Sequence, residues 1–226
     1  HRISLVDLRY ERRLRSPARM AEFLRQGVDL ICVSINWNSN YRQVCDYVSG
    51  LPSGPTIVVG GREATEHVED VFQRCPNVAV VVRGEGEQTS QELADGKPWD
   101  QILGVSYRRD GHVVHNPNRP LQPIEDIVPP DRSLRRNRYA PIAWGIPLWP
   151  AEYDMILGSR GCPYHCKFCT FSLNPLGQKR DWVARSPESV VDEIEASKGD
   201  MIMFADDNFF FKPAWVERIC DLLIER

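Results

Sequence analysis

Short apolar runs and helical apolar spacing alternate along the first half of the chain. The apolar runs at residues 3–7, 30–35, 56–59 and 78–82 predict strands. Between them, apolar residues recur at helical spacing after Ser16-Pro17, from Tyr41 to Val48 and from Ala64 to Cys75, and a short helix is predicted to end near Ala94. Strands that are apolar throughout and separated by helices indicate a parallel sheet covered on both faces. Residues 105–108 and 112–115 predict a hairpin around Asp110-Gly111.

The pattern changes after residue 115. Eight of the 17 prolines lie within residues 116–150, a density that disfavours helices and central strands and predicts a linker. Beyond it come a strand at 153–157, a helix after Ser186-Pro187, a strand at 201–205 and a helix after Pro213. This order predicts the first two units of a (β/α) barrel, whose working loops follow the strands. We therefore expect a domain at 1–115, a linker at 116–152 and a second domain at 153–226.

Composition narrows the class of protein. Apolar residues make up 42% of the chain, charged residues 26%, and the net charge is −3, as in an ordinary globular protein without a nucleic-acid-binding field. The longest apolar runs are too short to span a bilayer, and no secretory signal is visible, so we expect a cytoplasmic protein without disulfides. Four cysteines without metal-ligand spacing are interpreted as buried small apolar residues: Cys32, Cys45, Cys75 and Cys220.

The remaining three cysteines carry the chemistry. Cys162, Cys166 and Cys169 follow one another in CxxxCxxC spacing within the run 161–169. Thiolates are the usual ligands of iron–sulfur clusters, and three of them would leave one iron of a cubane open to bind substrate. A structural zinc site that adds His165 is the alternative, although zinc sites usually draw on two separated ligand pairs.

This loop, with the aromatic Phe168 before the third cysteine, resembles the signature of the radical S-adenosylmethionine (SAM) superfamily. The resemblance implies a [4Fe-4S] cluster held by Cys162, Cys166 and Cys169, and SAM bound to the open iron. It also implies reductive cleavage of SAM to a 5′-deoxyadenosyl radical, with a flavodoxin or ferredoxin as electron donor. Asp206 and Asp207, after the second strand of the barrel start, correspond to the residues that hold the SAM ammonium group. A helix N-cap is the alternative role for these aspartates.

The first domain resembles the cobalamin-binding domain of B12-dependent radical SAM enzymes. The resemblance lies in the order of five short segments: residues 5–9, 33–35, 58–61 with Ala64-Thr65, 83–87 and 130–132. The implied cobalamin contacts are Ser34, Gly60, Gly61, Thr65, Gly84, Glu85 and Gly86. Tight strand-to-helix turns are the alternative reason for these glycines. The Asp-x-His-x-x-Gly motif that ligates cobalt in many such domains does not occur, and the first strand and helix of the domain are expected to be missing. The basic run Arg132, Arg135, Arg136 and Arg138 is interpreted as a solvated linker face.

The fold class expected is therefore α/β: a flavodoxin-like (Rossmann-like) parallel-sheet domain followed by the start of a radical SAM (β/α) barrel. The resemblance implies C-methylation of an unactivated carbon in a small molecule such as a tetrapyrrole, a terpenoid or another natural product. The alternatives are a B12-dependent oxidoreductase or cyclase, a tRNA methylthiotransferase-like enzyme, and a non-catalytic corrinoid-binding or zinc-bearing fragment. Neither nucleic-acid binding nor a membrane span is expected. We also expect the chain to be a segment of a longer enzyme and to be inactive by itself.

Overall fold

The fold was analysed in a computed structural model, which describes residues 1–143, 146–147, 151–169 and 174–226. Residues 144–145 and 148–150 of the predicted linker lie outside the described part. The helices are α1 (Pro17–Leu24), α2 (Tyr41–Ser49), α3 (Arg62–Glu66), α4 (Val68–Arg74), α5 (Glu87–Ala94), α6 (Pro187–Ala196) and α7 (Pro213–Glu225). Within the described residues, none of these helices is long and apolar enough to cross a membrane.

The strands are β1 (Leu30–Ser34), β2 (Thr56–Gly60), β3 (Val78–Val82), β4 (Val105–Arg109), β5 (His112–His115), β6 (Ile142–Ala143), β7 (Ile146–Pro147), β8 (Tyr153–Ile156), β9 (Ser159–Arg160), β10 (Val183–Ala184) and β11 (Met201–Phe204). The described residues divide into two compact units. The N-terminal unit contains residues 6–121 and the short segment Asn174–Gln178, and the C-terminal unit contains most of residues 122–226.

The N-terminal unit is built on a five-stranded sheet in the order β1-β2-β3-β4-β5. The pairs β1–β2 and β2–β3 are parallel, whereas β3–β4 and β4–β5 are antiparallel. The β4–β5 hairpin turns at Asp110 and Gly111, whose φ angles of 51° and 81° are both in the left-handed region that such a two-residue turn requires. The strands predicted to form a parallel sheet and the strands of the predicted hairpin thus belong to one sheet with both parallel and antiparallel pairs.

Two apolar clusters cover the faces of this sheet. On one face, Ile57, Val59 and Val81 pack with side chains of α1, α2 and α4, and on the other, Val58, Val80 and Val82 pack with Leu93 and the hairpin. Alternate residues of β2 and β3 therefore enter opposite cores, which is why residues 57–59 of β2 and all of β3 are apolar. Cys45 and Cys75 are fully buried, as predicted.

Three sequence predictions about strands and cysteine burial are wrong. Residues 3–7 form no strand; Ile3 is 63% exposed, because a strand needs a hydrogen-bonding neighbour and no described strand pairs with this segment. Cys32 is exposed on β1, an edge strand whose partner is β2. Cys220, in the C-terminal unit, is also exposed, because it lies away from the face of α7 that buries Ile219 and Leu222.

The C-terminal unit contains the parallel pair β8–β11 and the helices α6 and α7. Ser186 caps α6 by accepting a hydrogen bond from the backbone nitrogen of Ser189, directly before Pro187. One cluster, formed by Ile156, Val190, Val191, Ile219 and Leu222, joins strand β8 to both helices. The unit thus contains two strand–helix pairs, while their assignment as the start of a (β/α) barrel remains a prediction.

An ion-pair network replaces the predicted solvated face of the basic run. Arg132 Nη2 lies 2.7 Å from Glu193 Oε1, and Arg135 Nη1 lies 2.5 Å from Asp154 Oδ1. Both carboxylates are buried, and Arg185 forms a second ion pair with Glu193. The prediction of a solvated face is wrong for Arg132 and Arg135, because buried carboxylates on β8 and α6 need cationic partners. The density of prolines predicted that this segment lacks an α-helix, but it gave no sign of the ion pairs with Asp154 and Glu193.

Candidate functional site

The cysteine loop begins at the carboxyl end of β8. Just beyond this strand, β9 pairs antiparallel with β10, and the Cys162 nitrogen donates to the Arg180 carbonyl at 3.3 Å. Gly161 has a φ of 85°, and a Cβ there would lie 2.5 Å from the Asp181 carbonyl oxygen. Only glycine fits this close approach, so the residue before the first cysteine is fixed by backbone packing.

The three cysteines lie on the exposed side of this loop. Cys166 is exposed, Cys162 and Cys169 are partly exposed, and the Cys169 nitrogen donates to the Cys166 carbonyl at 3.0 Å. Phe168 is 90% exposed. Among the described residues, no three histidine, cysteine, aspartate or glutamate side chains are gathered as a metal site. Three accessible sulfur donors on one short loop nevertheless fit an iron–sulfur cluster chemically, since thiolates are its usual ligands.

His165, the fourth ligand of the zinc alternative, contacts a lysine. Its Nε2 lies 2.8 Å from Lys179 Nζ, which also donates to the Pro163 carbonyl at 3.1 Å. A histidine nitrogen that accepts from a lysine cannot bind zinc at the same time. This contact therefore weighs against zinc coordination by that nitrogen.

Three consecutive side chains after β11 contact the segment that leads to Cys162. Asp206 accepts hydrogen bonds from the Gly158 nitrogen at 3.3 Å and from both the nitrogen and the hydroxyl of Ser159. Asp207 Oδ2 accepts from the Gly161 nitrogen at 2.8 Å. Asn208 Nδ2 lies 3.6 Å from Cys162 Sγ, and this contact is an N–H···S hydrogen bond. Successive residues of the run 206–208 thus form hydrogen bonds with successive parts of the loop 158–162.

The two aspartates differ in their surroundings. Asp206 is partly buried, and burial raises the pKa of its carboxyl above the ordinary value despite the hydrogen bonds from Ser159 and Gly158. Asp207 is exposed and uses one carboxylate oxygen for the Gly161 nitrogen. Both oxygens of Asp206 already accept hydrogen bonds within the unit. Of the two aspartates, Asp207 is therefore the better placed to contact a bound cation.

The predicted cobalamin contacts of the N-terminal unit lie together at one edge of its sheet. Ser34 is in register with Gly60 at the carboxyl ends of β1 and β2. The Thr65 hydroxyl donates to the Gly61 carbonyl at 2.9 Å and accepts from the Gly84 nitrogen at 3.1 Å. These five residues form a continuous edge that spans the ends of three parallel strands, the place where open α/β sheets bind ligands.

The glycines of this edge are needed for different reasons. Gly61 has a φ of 97°, and a Cβ there would lie 2.5 Å from Asn36 Oδ1 and 2.7 Å from the Ile35 carbonyl oxygen. Gly60 has no such conflict, since its nearest contact would be Val82 Cβ at 3.4 Å. Internal packing therefore explains Gly61 without any ligand, as the tight-turn alternative holds. Internal packing does not require glycine at position 60, because a Cβ there would make only ordinary contact with Val82.

A turn that follows the cysteine loop in the chain belongs to the N-terminal unit. In Asn174–Gln178, Asn174 Oδ1 accepts from the nitrogens of Leu176 and Gln178 at 3.0 and 2.9 Å. Gln178 Nε2 donates to the Arg119 carbonyl at 2.9 Å. A Cβ on Gly84 would lie 3.2 Å from Leu176 Cδ1. This turn thus packs directly on the edge that carries the predicted cobalamin contacts.

The motif after β3 is partly structural. Arg83 is buried and donates to the Asn118 side chain at 2.6 Å and to the Asn116 and Val105 carbonyls. Gly86 precedes α5 as its N-cap, and Glu85, between the two glycines, is partly buried. Arg83 therefore holds the end of β3 in place. Gly84 and Glu85 follow it at the carboxyl edge of the sheet, where the cobalamin contacts are predicted.

Sequence reasoning missed several contributors to these sites. No motif surrounds Asn36 or Leu176 in the sequence. Each reaches the site only through contact with a glycine distant in the chain, Asn36 with Gly61 and Leu176 with Gly84. Asn208 follows two aspartates that were singled out, but no pattern indicated a contact with Cys162. A polar residue next to a strand-end acidic pair was the one available signal.

Comparison with curated proteins reveals relatives along most of the chain. An uncharacterized methyltransferase of Pyrococcus horikoshii is 36% identical over 68% of the chain and 33% of the relative. The anaerobic magnesium-protoporphyrin IX monomethyl ester cyclase of Rubrivivax gelatinosus is 29% identical over 75% of the chain and 31% of the relative. The cobalamin-dependent radical SAM methyltransferase TokK of Streptomyces tokunonensis is 28% identical over 71% of the chain and 24% of the relative. The chain thus spans a third or less of each of these relatives.

Solved structures with the same fold extend over nearly the whole chain. The radical SAM methyltransferase TsrM of Kitasatospora setae, with cobalamin and a [4Fe-4S] cluster bound, matches 98% of the chain and 44% of its own length at a TM-score of 0.64 and 17% identity. The cobalamin-dependent radical SAM enzyme OxsB, with aqua-cobalamin bound, matches 93% of the chain and 31% of its own length at a TM-score of 0.64 and 23% identity. No family model matches the chain. The relatives confirm the resemblance to cobalamin-dependent radical SAM enzymes drawn from the sequence.

Proposed function

We propose that this chain, related to cobalamin-dependent radical SAM enzymes, carries the cofactor-binding part of an enzyme that methylates an unactivated carbon of a small molecule. The N-terminal unit would bind cobalamin and the C-terminal unit the cluster with SAM. When bound, the cluster supplies an electron that cleaves SAM to a carbon radical, and cobalamin supplies the methyl group. A tetrapyrrole, terpenoid or other natural product would be the substrate, and a cytoplasmic flavodoxin or ferredoxin the electron donor.

One observation carries this proposal. The loop with the three cysteines leaves the carboxyl end of a parallel strand, and the run 206–208 from the neighbouring strand is hydrogen-bonded along its start. Cys162, Cys166 and Cys169 would hold the cluster. Asp207 would receive the SAM ammonium group, because a carboxylate strengthens a hydrogen bond to a cation in a partly dry site. Asp206 would hold the loop, and the exposed Phe168 would face the bound cofactors.

The cobalamin part of the proposal rests on the edge formed by Ser34, Gly60, Gly61, Thr65 and Gly84. Gly60 is a glycine that internal packing does not require, and the Thr65 hydroxyl links the loops that contain Gly61 and Gly84. Glu85 and Gly86 would border the same site after β3. Leu176, packed on Gly84, would add an apolar contact to one side of it.

Anaerobic reconstitution of the full chain with iron, sulfide and hydroxocobalamin tests the cofactor assignment. We expect about four irons and four sulfides per chain, and one cobalamin retained after gel filtration. Gly60→Val should weaken cobalamin retention without loss of iron. Gly50→Ala is the matched control, because its Cβ would meet no atom closer than 3.4 Å and it lies at the end of α2. Zinc in place of iron, or cobalamin retention equal in both variants, would overturn the assignment.

Oxidative ring closure is the second candidate, because an anaerobic cyclase is among the relatives and aligns with 75% of the chain. The products of SAM separate the two reactions. Methylation through cobalamin consumes SAM twice and releases both S-adenosylhomocysteine and 5′-deoxyadenosine. Cyclisation releases 5′-deoxyadenosine without S-adenosylhomocysteine. Chromatography of both products after incubation with a panel of tetrapyrroles and terpenoids, in the enzyme that contains this chain, decides between them.

A further inference from the structure

The contact between Asn208 and Cys162 differs from the other contacts of the run 206–208. Asp206 and Asp207 accept hydrogen bonds from backbone nitrogens, and so hold the loop in place. Asn208 instead donates from its side-chain amide to a cysteine sulfur at 3.6 Å. Within the described residues, this bond joins a side chain at the end of β11 directly to one of the three thiols of the cysteine motif.

Asn208 is held in the position from which it donates. Its backbone carbonyl accepts a hydrogen bond from Trp182 Nε1 at 2.8 Å. The Trp182 ring packs against Phe211 and Trp215, with ring centroids 5.5 and 5.6 Å apart. The asparagine backbone is thus fixed by a packed aromatic group, which lowers the entropy cost of aiming its side chain at the sulfur.

A donor at a cluster sulfur has a defined physical effect. Reduction adds negative charge to the cluster and its thiolates, so an N–H group that points at a ligand sulfur stabilises the reduced state more than the oxidised state. Hydrogen bonds to the sulfurs are among the factors that set iron–sulfur potentials.

We propose that Asn208 is a positioning residue that donates a hydrogen bond to the sulfur of Cys162 and thereby favours reduction of an iron–sulfur cluster held by this loop. The inference rests on the proposed function, because it requires a cluster at the three cysteines. It assigns to the third residue of the run a role separate from that of the two aspartates. Asp206 and Asp207 position the loop, and Asn208 adjusts how readily the cluster accepts an electron.

The test compares Asn208→Ala and Asn208→Asp with the wild-type full chain after anaerobic reconstitution. The readout is the ratio of reduced to oxidised cluster at a fixed redox poise, measured by electron paramagnetic resonance, together with iron content. A hydrogen bond to a charged group contributes on the order of a tenfold change in such an equilibrium. We expect the ratio to fall about tenfold in Asn208→Ala and further in Asn208→Asp, whose carboxylate repels the thiolate. Iron content should be unchanged.

The matched control is Asn38→Ala, which removes an asparagine amide that donates to Glu63 in the N-terminal unit. It should leave the ratio at the wild-type value. A ratio unchanged in both Asn208 variants overturns the inference, and so does loss of iron in both, since Asn208 would then hold the loop rather than adjust the cluster. Failure of the wild-type chain to take up iron and sulfide refutes the proposed function itself, and is distinguished by iron analysis before any redox measurement.

Discussion

The buried carboxylate of Glu193 allows a sharp test of how the C-terminal unit is held together. Glu193 lies on α6 and is 6% exposed. Its Oε1 lies 2.7 Å from Arg132 Nη2, and its Oε2 pairs with Arg185. Arg185 also donates to the Leu157 carbonyl at 3.1 Å, just before the cysteine loop. Glu193→Ala therefore removes the anion that joins the proline-rich segment, α6 and the end of β8.

The magnitude follows from what the substitution leaves behind. Arg185, 8% exposed at its side chain, keeps hydrogen bonds to Leu157 and Ser189 but loses its counter-charge, whereas Arg132 still faces Asp154 at 3.5 Å. Removing one partner of a buried ion pair costs about 3–5 kcal/mol. Because Arg132 keeps a partner, we expect the lower end, about 3 kcal/mol. Glu193→Gln, which keeps the shape and an acceptor oxygen, should cost less.

Urea dependence of hydrogen exchange in peptides that cover β8 and α6 measures the unfolding free energy of this unit alone. With a slope of about 2 kcal/mol per M, a loss of about 3 kcal/mol lowers the midpoint by about 1.5 M. The control is Glu188→Ala in the same unit, whose pair with Arg218 is 50% and 46% exposed and should contribute less than about 1 kcal/mol. Equal midpoints for Glu193→Ala and Glu188→Ala would refute the assignment of the network as a stabilising core.

Three further outcomes are expected. Cys162→Ala should abolish iron retention on reconstitution and Cys45→Ala should leave it unchanged, because Cys45 is fully buried away from the loop; iron analysis that gave the reverse would contradict the cluster assignment. Gly61→Ala should destabilise the N-terminal unit by about 2 kcal/mol or more, whereas Gly96→Ala, with positive φ but no atom within 4 Å of its Cβ, should cost about 1 kcal/mol; urea midpoints compare them. Burial raises the pKa of Asp154, but Ser197, Arg135 and Arg132 outweigh it and hold that pKa below its ordinary value. Its contribution to stability is thus complete above about pH 5 and is lost progressively at lower pH, a loss that urea midpoints at neutral and acidic pH should show and that Asp154→Asn should reduce.

The sequence by itself determined the elements that depend on local pattern. Strands β2 and β3 lie between two packed faces, so their central residues must be apolar, and a short apolar run in the sequence was enough to predict each strand. Ser186 before Pro187 predicted the start of α6, because the cap and the fixed φ act within one turn. The cysteine spacing and Phe168 likewise carried the prediction of an iron–sulfur cluster, since three thiols on one loop need no tertiary information to be recognised.

Tertiary structure decided whatever depends on a neighbour distant in the chain. Residues 3–7 have a strand-like pattern but no hydrogen-bonding partner, so the pattern alone could not make a strand. Arg132 looked like part of a solvated basic run, yet its partners Asp154 and Glu193 lie 22 and 61 residues away and are buried. The aspartates of the run 206–208 could be recognised as strand-end residues, but their hydrogen bonds to the cysteine loop, and the contact of Asn208 with Cys162, arise only because two parallel strands end side by side.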